Sequence, residues 1–186
     1  MFGKNEIVGK KYFDNAGDKV FVTSVFMTLQ GEGPYRGEPA VFVRFAKCNL
    51  NCSFCDTWFD SGDWLTLDEL NAKINLAIAA AYDGYFPDWI NTTGKKYNCG
   101  LVITGGEPLM RQGVVHFIRD LQSLRAKGLK RISITTNAHY LKKYALDLKH
   151  AGLDDLNISL DSLDPEQFMT LTKKPILPVL EGIKAA

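Results

Sequence analysis

Four short runs of aliphatic and β-branched residues, at 41–46, 101–104, 131–136 and 156–160, alternate with stretches whose apolar residues recur at helical spacing. This alternation limits the fold more than any other feature of the chain. Successive strands that run parallel need a crossover between them, and helical crossovers are right-handed. Each helix carries its own boundary signals. Thr66-Leu67-Asp68-Glu69 is a capping box ahead of Leu70, Ile74, Ala77, Ile78 and Ala81. Val114, Phe117, Ile118 and Leu121 mark a second helix that stops at Lys127-Gly128, and Leu141, Tyr144, Ala145 and Leu148 mark a third ended by Gly152. Asp164-Pro165-Glu166 pairs an N-cap with proline at the first helical position, and Val179, Leu180 and Ile183 share one face of a last helix. Upstream, the turn formers Asp14-Asn15-Ala16-Gly17-Asp18 precede an extended, β-branched and aromatic run from Val20 to Phe26. The expected fold is α/β, with a parallel sheet wrapped by helices. Four strand–helix pairs are too few to close an eight-fold ring, so the expectation is a partial, TIM-like (β/α) barrel. Residues 1–186 read as one domain, with an extended N-terminal segment over 1–40 and the barrel core over 41–186. Its open side is expected to lie under the N-terminal segment or a second copy of the chain. A bare fourth strand and a last helix with nothing to pack against both favour a homodimer.

Sheets of this kind place chemistry at the carboxyl ends of their strands, and the conspicuous residues fall there. Cys48, Cys52 and Cys55 form a C-x3-C-x2-C run after the first strand; Gly105-Gly106 follows the second, Thr136-Asn137 the third and Ser159 the fourth. A four-iron, four-sulfur (4Fe-4S) cluster is normally held by four cysteines. Three leave one iron open, and an iron that chelates the amino and carboxylate groups of S-adenosylmethionine can reduce that cofactor to a carbon radical. A structural zinc site is the other reading, with Cys99, His116, His139 or His150 as the fourth ligand; zinc sites usually have two paired hooks, and no second hook is visible. Cys99 reads as an ordinary free cysteine. A disulfide framework is disfavoured by four cysteines in 186 residues with no export signal.

Composition is that of a globular protein, 46% hydrophobic and 23% charged. The opening residues carry no apolar run, so neither a signal peptide nor a membrane span is expected, and a cytoplasmic location suits an oxygen-sensitive cluster. A net charge of +1 leaves no broad footprint for nucleic acid.

The cysteine triplet together with Gly105-Gly106-Glu107-Pro108 resembles the radical S-adenosylmethionine (radical SAM) superfamily over about residues 40–160. A narrower resemblance is carried by Thr28-Leu29-Gln30-Gly31-Glu32-Gly33, Gly37-Glu38-Pro39-Ala40, Phe42-Val43-Arg44 and Cys55-Asp56-Thr57, which are similar to the 7-carboxy-7-deazaguanine synthase family. That family contracts 6-carboxy-5,6,7,8-tetrahydropterin with loss of ammonia, on the route to queuosine. The resemblance implies a 4Fe-4S cluster on Cys48, Cys52 and Cys55, S-adenosylmethionine, and Mg2+ held with help from Thr57. It also implies a pterin pocket lined by Leu29, Gln30, Gly31 and Thr104. Arg44 is expected to clamp the substrate carboxylate, and Gln30 and Arg44 are the expected catalytic groups. Contacts to S-adenosylmethionine fall on Phe54, Cys55, Asp56, Gly105, Gly106, Glu107, Thr136, Asn137 and Ser159. A flavodoxin or ferredoxin would supply the electron. Read from the residues alone, the glycine pair lets backbone approach the methionine amino group closely, and Arg44 is either a ligand clamp or one half of an ion pair at a sheet edge.

In the last third, Thr135-Thr136-Asn137 and the run from Ser159 to Pro165 are more similar to GTP 3′,8-cyclases; the deazaguanine family usually shows Ser-Pro-Lys at the fourth strand. The cyclases use a second cysteine set, whereas this sequence has only Cys99 beyond the triplet. Two further classes stay open: an activase of a glycyl-radical enzyme, which acts on a protein, and a truncated, non-catalytic binding module.

Overall fold

The structure, a computed structural model, describes residues 19–84 and 98–186. The turn-rich segment at 14–18 lies outside the described residues, as does the rest of 1–18. Six strands form one sheet: β1 (Val20–Leu29), β2 (Pro39–Phe45), β3 (Asp63–Leu65), β4 (Gly100–Gly105), β5 (Arg131–Thr136) and β6 (Asp155–Ile158). Their order is β3-β1-β2-β4-β5-β6. β2, β4, β5 and β6 run parallel, as the alternation predicts, and β1 and β3 extend the sheet antiparallel on the β2 side. The N-terminal segment thus covers one edge of an incomplete (β/α) barrel by pairing with it. The short strand β3 has no counterpart in the sequence reading.

Among the described residues, five α-helices pack their buried residues into one core on one face: α1 (Leu67–Gly84), α2 (Val114–Leu121), α3 (Leu141–His150), α4 (Pro165–Thr172) and α5 (Leu177–Ala185). The capping box forms as read, with Thr66 N–H donating to Glu69 Oε2 at 2.8 Å and Glu69 N–H to Thr66 Oγ1 at 3.2 Å. Asp164 caps α4 by accepting from Gln167 N–H at 2.7 Å. The second helix runs only to Leu121 as α-helix and continues to Lys127 as a tighter 3-10 stretch, closed by Gly128. Alternate residues of each strand point into the helical layer. Val41, Val43 and Phe45 of β2, Leu101 and Ile103 of β4, and Ile132 and Ile134 of β5 are buried there among Leu70, Ile74, Ile118 and Leu148.

One expectation is corrected. The last helix needs no second copy, because α5 packs on α3, with Val179 fully buried. Gly182 makes that contact possible, since a Cβ there would run into the Ala138 carbonyl. The outer edge of β6 has no strand partner among the described residues. None of the described helices is long and apolar enough to cross a membrane.

The other face of the sheet carries the intervening side chains. Ser24, Arg44 and Thr104 sit side by side in register across β1, β2 and β4, and Phe26, Phe42 and Val102 form the next row. Thr135 pairs with Asn157 and Ser133 with Asp155 farther along the sheet. The loop between β1 and β2 reaches across this inner face. Asn157 on β6 donates to Glu32 at 3.0 Å, and Arg131 at the start of β5 donates to Glu38 at 2.8 Å while lying 3.4 Å above the Tyr35 ring.

Candidate cofactor and substrate site

The loop after β2 is fixed from both sides. Lys47 turns the chain in the left-handed region, φ 70°, and its N–H donates to the Phe59 carbonyl at 2.8 Å. Beyond it, the backbone N–H groups of Asn51 and Ser53 donate to the Thr172 and Leu171 carbonyls at the end of α4. Helix ends leave carbonyls without partners; here the cysteine loop supplies two of the donors. Leu50 and Phe59 form a small apolar cluster with Cys48, and Cys52 packs against it.

The turn after β4 locks onto the same loop. Gly106 N–H donates to the Phe45 carbonyl and Glu107 N–H to the Lys47 carbonyl, both at 2.9 Å. A Cβ at Gly105 would strike Phe45 backbone and one at Gly106 the Lys47 carbonyl, and Gly105 has φ 108°. The glycine pair is therefore required by close approach to the chain's own cysteine loop, not merely by room for a ligand.

Glu107 joins a third element. Its carboxylate, 1% exposed, accepts from Thr136 Oγ1 at 2.8 Å, Asn137 N–H at 2.8 Å and Leu109 N–H at 2.9 Å. Burial pushes its pKa up to about 7 against the pull of those three donors. Its side chain ties the turn after β4 to the end of β5. Asn137 continues the network by donating to Asn49 Oδ1 at 2.9 Å, with Cys48 Sγ 4.0 Å from the same amide nitrogen.

Between these loops lies a cavity of about 210 Å³ at the carboxyl ends of the parallel strands. Cys48, Cys52, Phe54, Cys55, Asp56 and Thr57 line one side, and Gly105, Gly106, Thr136, Asn137 and Ser159 the other. Sequence reasoning missed Thr135, Asp161 and Phe168, which also line it. Asp161 was legible in principle, as an acidic residue two positions past the fourth strand's conspicuous serine. Arg44 and Thr104 stand on the inner face one position short of Phe45 and Gly105, just below this cavity. β2 is an interior strand, not the sheet edge of the ion-pair reading, and Arg44 makes no ion pair among the described residues. Leu29, Gln30 and Gly31 are not brought to the cavity. β1 runs antiparallel to β2, so Leu29 pairs with Pro39 at the opposite end of the parallel strands.

The donor set fits an iron–sulfur cluster. All four cysteines are free, and three of them share one cavity. Burial pushes the Cys48 thiol up to about 12 and the Cys52 thiol up to about 11, so metal must displace protons to load. The Asn49 amide nitrogen, in the same loop, is buried without a hydrogen-bond partner. No three His, Cys, Asp or Glu side chains converge on a single-ion site among the described residues. A four-iron cluster takes its thiolates at separate iron corners and needs no such convergence. Cys99 precedes β4 and Cys48 follows β2, so the length of the sheet separates them. The Thr57 hydroxyl donates to Asp56 at 3.1 Å.

A family model described as "Radical SAM superfamily" matches residues 95–186. The chain is 42% identical over 139 residues to a 7-carboxy-7-deazaguanine synthase of Rhodospirillum rubrum, covering 74% of this chain and 49% of that protein. It is 40% identical over 148 residues to a GTP 3′,8-cyclase of Peptoclostridium acidaminophilum, covering 75% of this chain and 39% of that protein. The chain thus spans about half the length, or less, of these curated relatives. A crystal structure of QueE from Escherichia coli aligns with a TM-score of 0.39 at 24% identity, over 65% of this chain and 54% of that one. The matched residues hold the glycine turn and the Thr136-Asn137 corner of the cavity, and the relatives extend the likeness over three quarters of the chain: the chain belongs to the radical SAM superfamily.

Proposed function

We propose that this chain forms the cofactor-binding and carboxylate-binding part of a radical SAM lyase. The reaction is contraction of 6-carboxytetrahydropterin to 7-carboxy-7-deazaguanine with loss of ammonia. The observation that carries this reading is Arg44: an exposed guanidinium with no carboxylate partner among the described residues, beside Thr104 and next to the cavity. Its planar fork matches a ligand carboxylate in two parallel hydrogen bonds. The thiolates of Cys48, Cys52 and Cys55 would hold the cluster, and the bound cluster and S-adenosylmethionine supply a carbon radical. Gly105, Gly106, Thr136, Asn137 and Ser159 form the wall against which the cofactor would lie. The paired Thr57 hydroxyl and Asp56 carboxylate offer hard oxygen donors suited to Mg2+. Gln30 joins the site only through the loop that crosses the inner face. A low-potential flavodoxin or ferredoxin completes the reading, with a second copy of the chain against the outer edge of β6.

A GTP-cyclising reaction is the second reading, favoured by the run from Ser159 to Pro165 and by the 40% identity to a cyclase. Anaerobic turnover of the reconstituted protein decides between them. The expected result is carboxydeazaguanine from carboxytetrahydropterin and no product from GTP; a cyclised GTP product would overturn it.

A further inference from the structure

Two arginines on the inner face lie over aromatic rings, and they differ in one respect. Arg131 sits 3.4 Å above the Tyr35 ring and its guanidinium is also bound to the Glu38 carboxylate. Arg44 lies 5.0 Å from the centre of the Phe26 ring and has no carboxylate among the described residues. Phe26 is itself held. It pairs in register with Phe42, and the two rings stack at 5.6 Å with only 14° between their planes. A cation within about 6 Å of an aromatic centroid is attracted by the ring's quadrupole. A ring engages the guanidinium through its flat face and leaves the N–H fork at its edge free. A protein carboxylate in the same place would occupy the fork and compete with the ligand.

We propose that Phe26, backed by Phe42, is a positioning residue that holds the Arg44 guanidinium with its fork presented to a substrate carboxylate. The proposal rests on the reading of Arg44 as the carboxylate clamp. An exposed arginine loses rotamer freedom when it binds; a side chain already ordered on a ring loses less, so the gain appears as affinity for carboxylate-bearing ligands alone. Phe26 therefore sets discrimination between a carboxylated heterocycle and the same heterocycle without that group.

The test measures binding of 6-carboxypterin, a fluorescent carboxylated probe, and of unsubstituted pterin to the anaerobically reconstituted protein with S-adenosylmethionine present. Phe26→Leu is expected to weaken 6-carboxypterin roughly three- to tenfold and to leave pterin unchanged. Phe26→Tyr restores the preference. Mono-, di- and trifluorophenylalanine at position 26 keep the ring's shape while draining its quadrupole, so affinity for 6-carboxypterin is expected to fall in that order. Phe26→Leu added to Arg44→Gln causes no further loss. Equal losses for both probes in Phe26→Leu, or full 6-carboxypterin affinity with the trifluorinated ring, would show that Phe26 merely fills space. An Arg44→Gln protein that still prefers 6-carboxypterin overturns the carboxylate clamp itself.

Discussion

Glu107 shows how one buried carboxylate organises three loops. Its three donors come from Leu109, Thr136 and Asn137, and its own N–H reaches back to Lys47 in the cysteine loop. Burial nevertheless dominates, and the folded-state pKa of about 7 lies above the 4.5 of a free glutamate. Between those two values the native protein binds a proton that the unfolded chain has released. This site's contribution to stability is therefore full below about pH 4.5 and falls away as pH rises toward 7. Glu107→Gln removes the titration, so the urea midpoint of the variant is expected to lose the part of its pH slope between 4.5 and 7 that belongs to this residue. Identical slopes in parent and variant would mean that the carboxylate is better solvated than its burial implies. The amide of the variant keeps one acceptor oxygen where Leu109 N–H and Asn137 N–H use two, so below pH 4.5 the variant is expected to be less stable than the parent by on the order of 1–3 kcal/mol.

At the scale of elements, what the sequence made legible was local. The capping box of α1, the Asp164-Pro165 start of α4 and the four parallel strands all follow from short-range spacing and turn chemistry. The β1–β2 loop did not, because its place depends on contacts between residues 93 to 125 positions apart: Arg131 with Tyr35 and Glu38, and Asn157 with Glu32. Nothing in Thr28-Leu29-Gln30-Gly31-Glu32-Gly33 announces that it crosses an open sheet face. Arg131 is 15% exposed at its side chain and anchors the loop by both a ring contact and an ion pair. Arg131→Ala is expected to free the loop while leaving the helical layer packed. Trypsin cleavage after Arg36 should then accelerate by roughly tenfold or more, following the lower opening free energy of the segment. The global unfolding midpoint should move much less. An unchanged cleavage rate would show that Glu32–Asn157 and the two backbone bonds of Gln30, its N–H to the Glu38 carbonyl and its carbonyl from Gly37 N–H, hold the loop by themselves.

The molecule as a whole is polarised along its parallel strands. At the carboxyl ends, three thiols, a glycine turn and the Thr136-Asn137 corner surround one cavity. That convergence was readable from the strand–helix alternation. The inner-face register that sets Arg44 beside Thr104 and over Phe26 was not, since it requires knowing which strand neighbours which. At the amino ends lies Cys99, ahead of β4 and 1% exposed. Six residues of strand at about 3.3 Å each, close to 20 Å, stand between it and the cysteine cavity. Burial pushes its thiol up to about 11, which keeps it protonated and inert. Cys99 thus has the location and chemistry of a core residue. Cys99→Ala is expected to retain the parent's iron and sulfide content and visible absorbance after anaerobic reconstitution, at a cost of roughly 1 kcal/mol in stability for the lost sulfur packing. Cys52→Ala, by contrast, opens the cavity's set of three thiols and is expected to lose the cluster while keeping its circular dichroism. A folded Cys99→Ala protein without iron would mean that the two ends of the sheet are not independent, and that the cluster depends on a thiol this fold holds about 20 Å away.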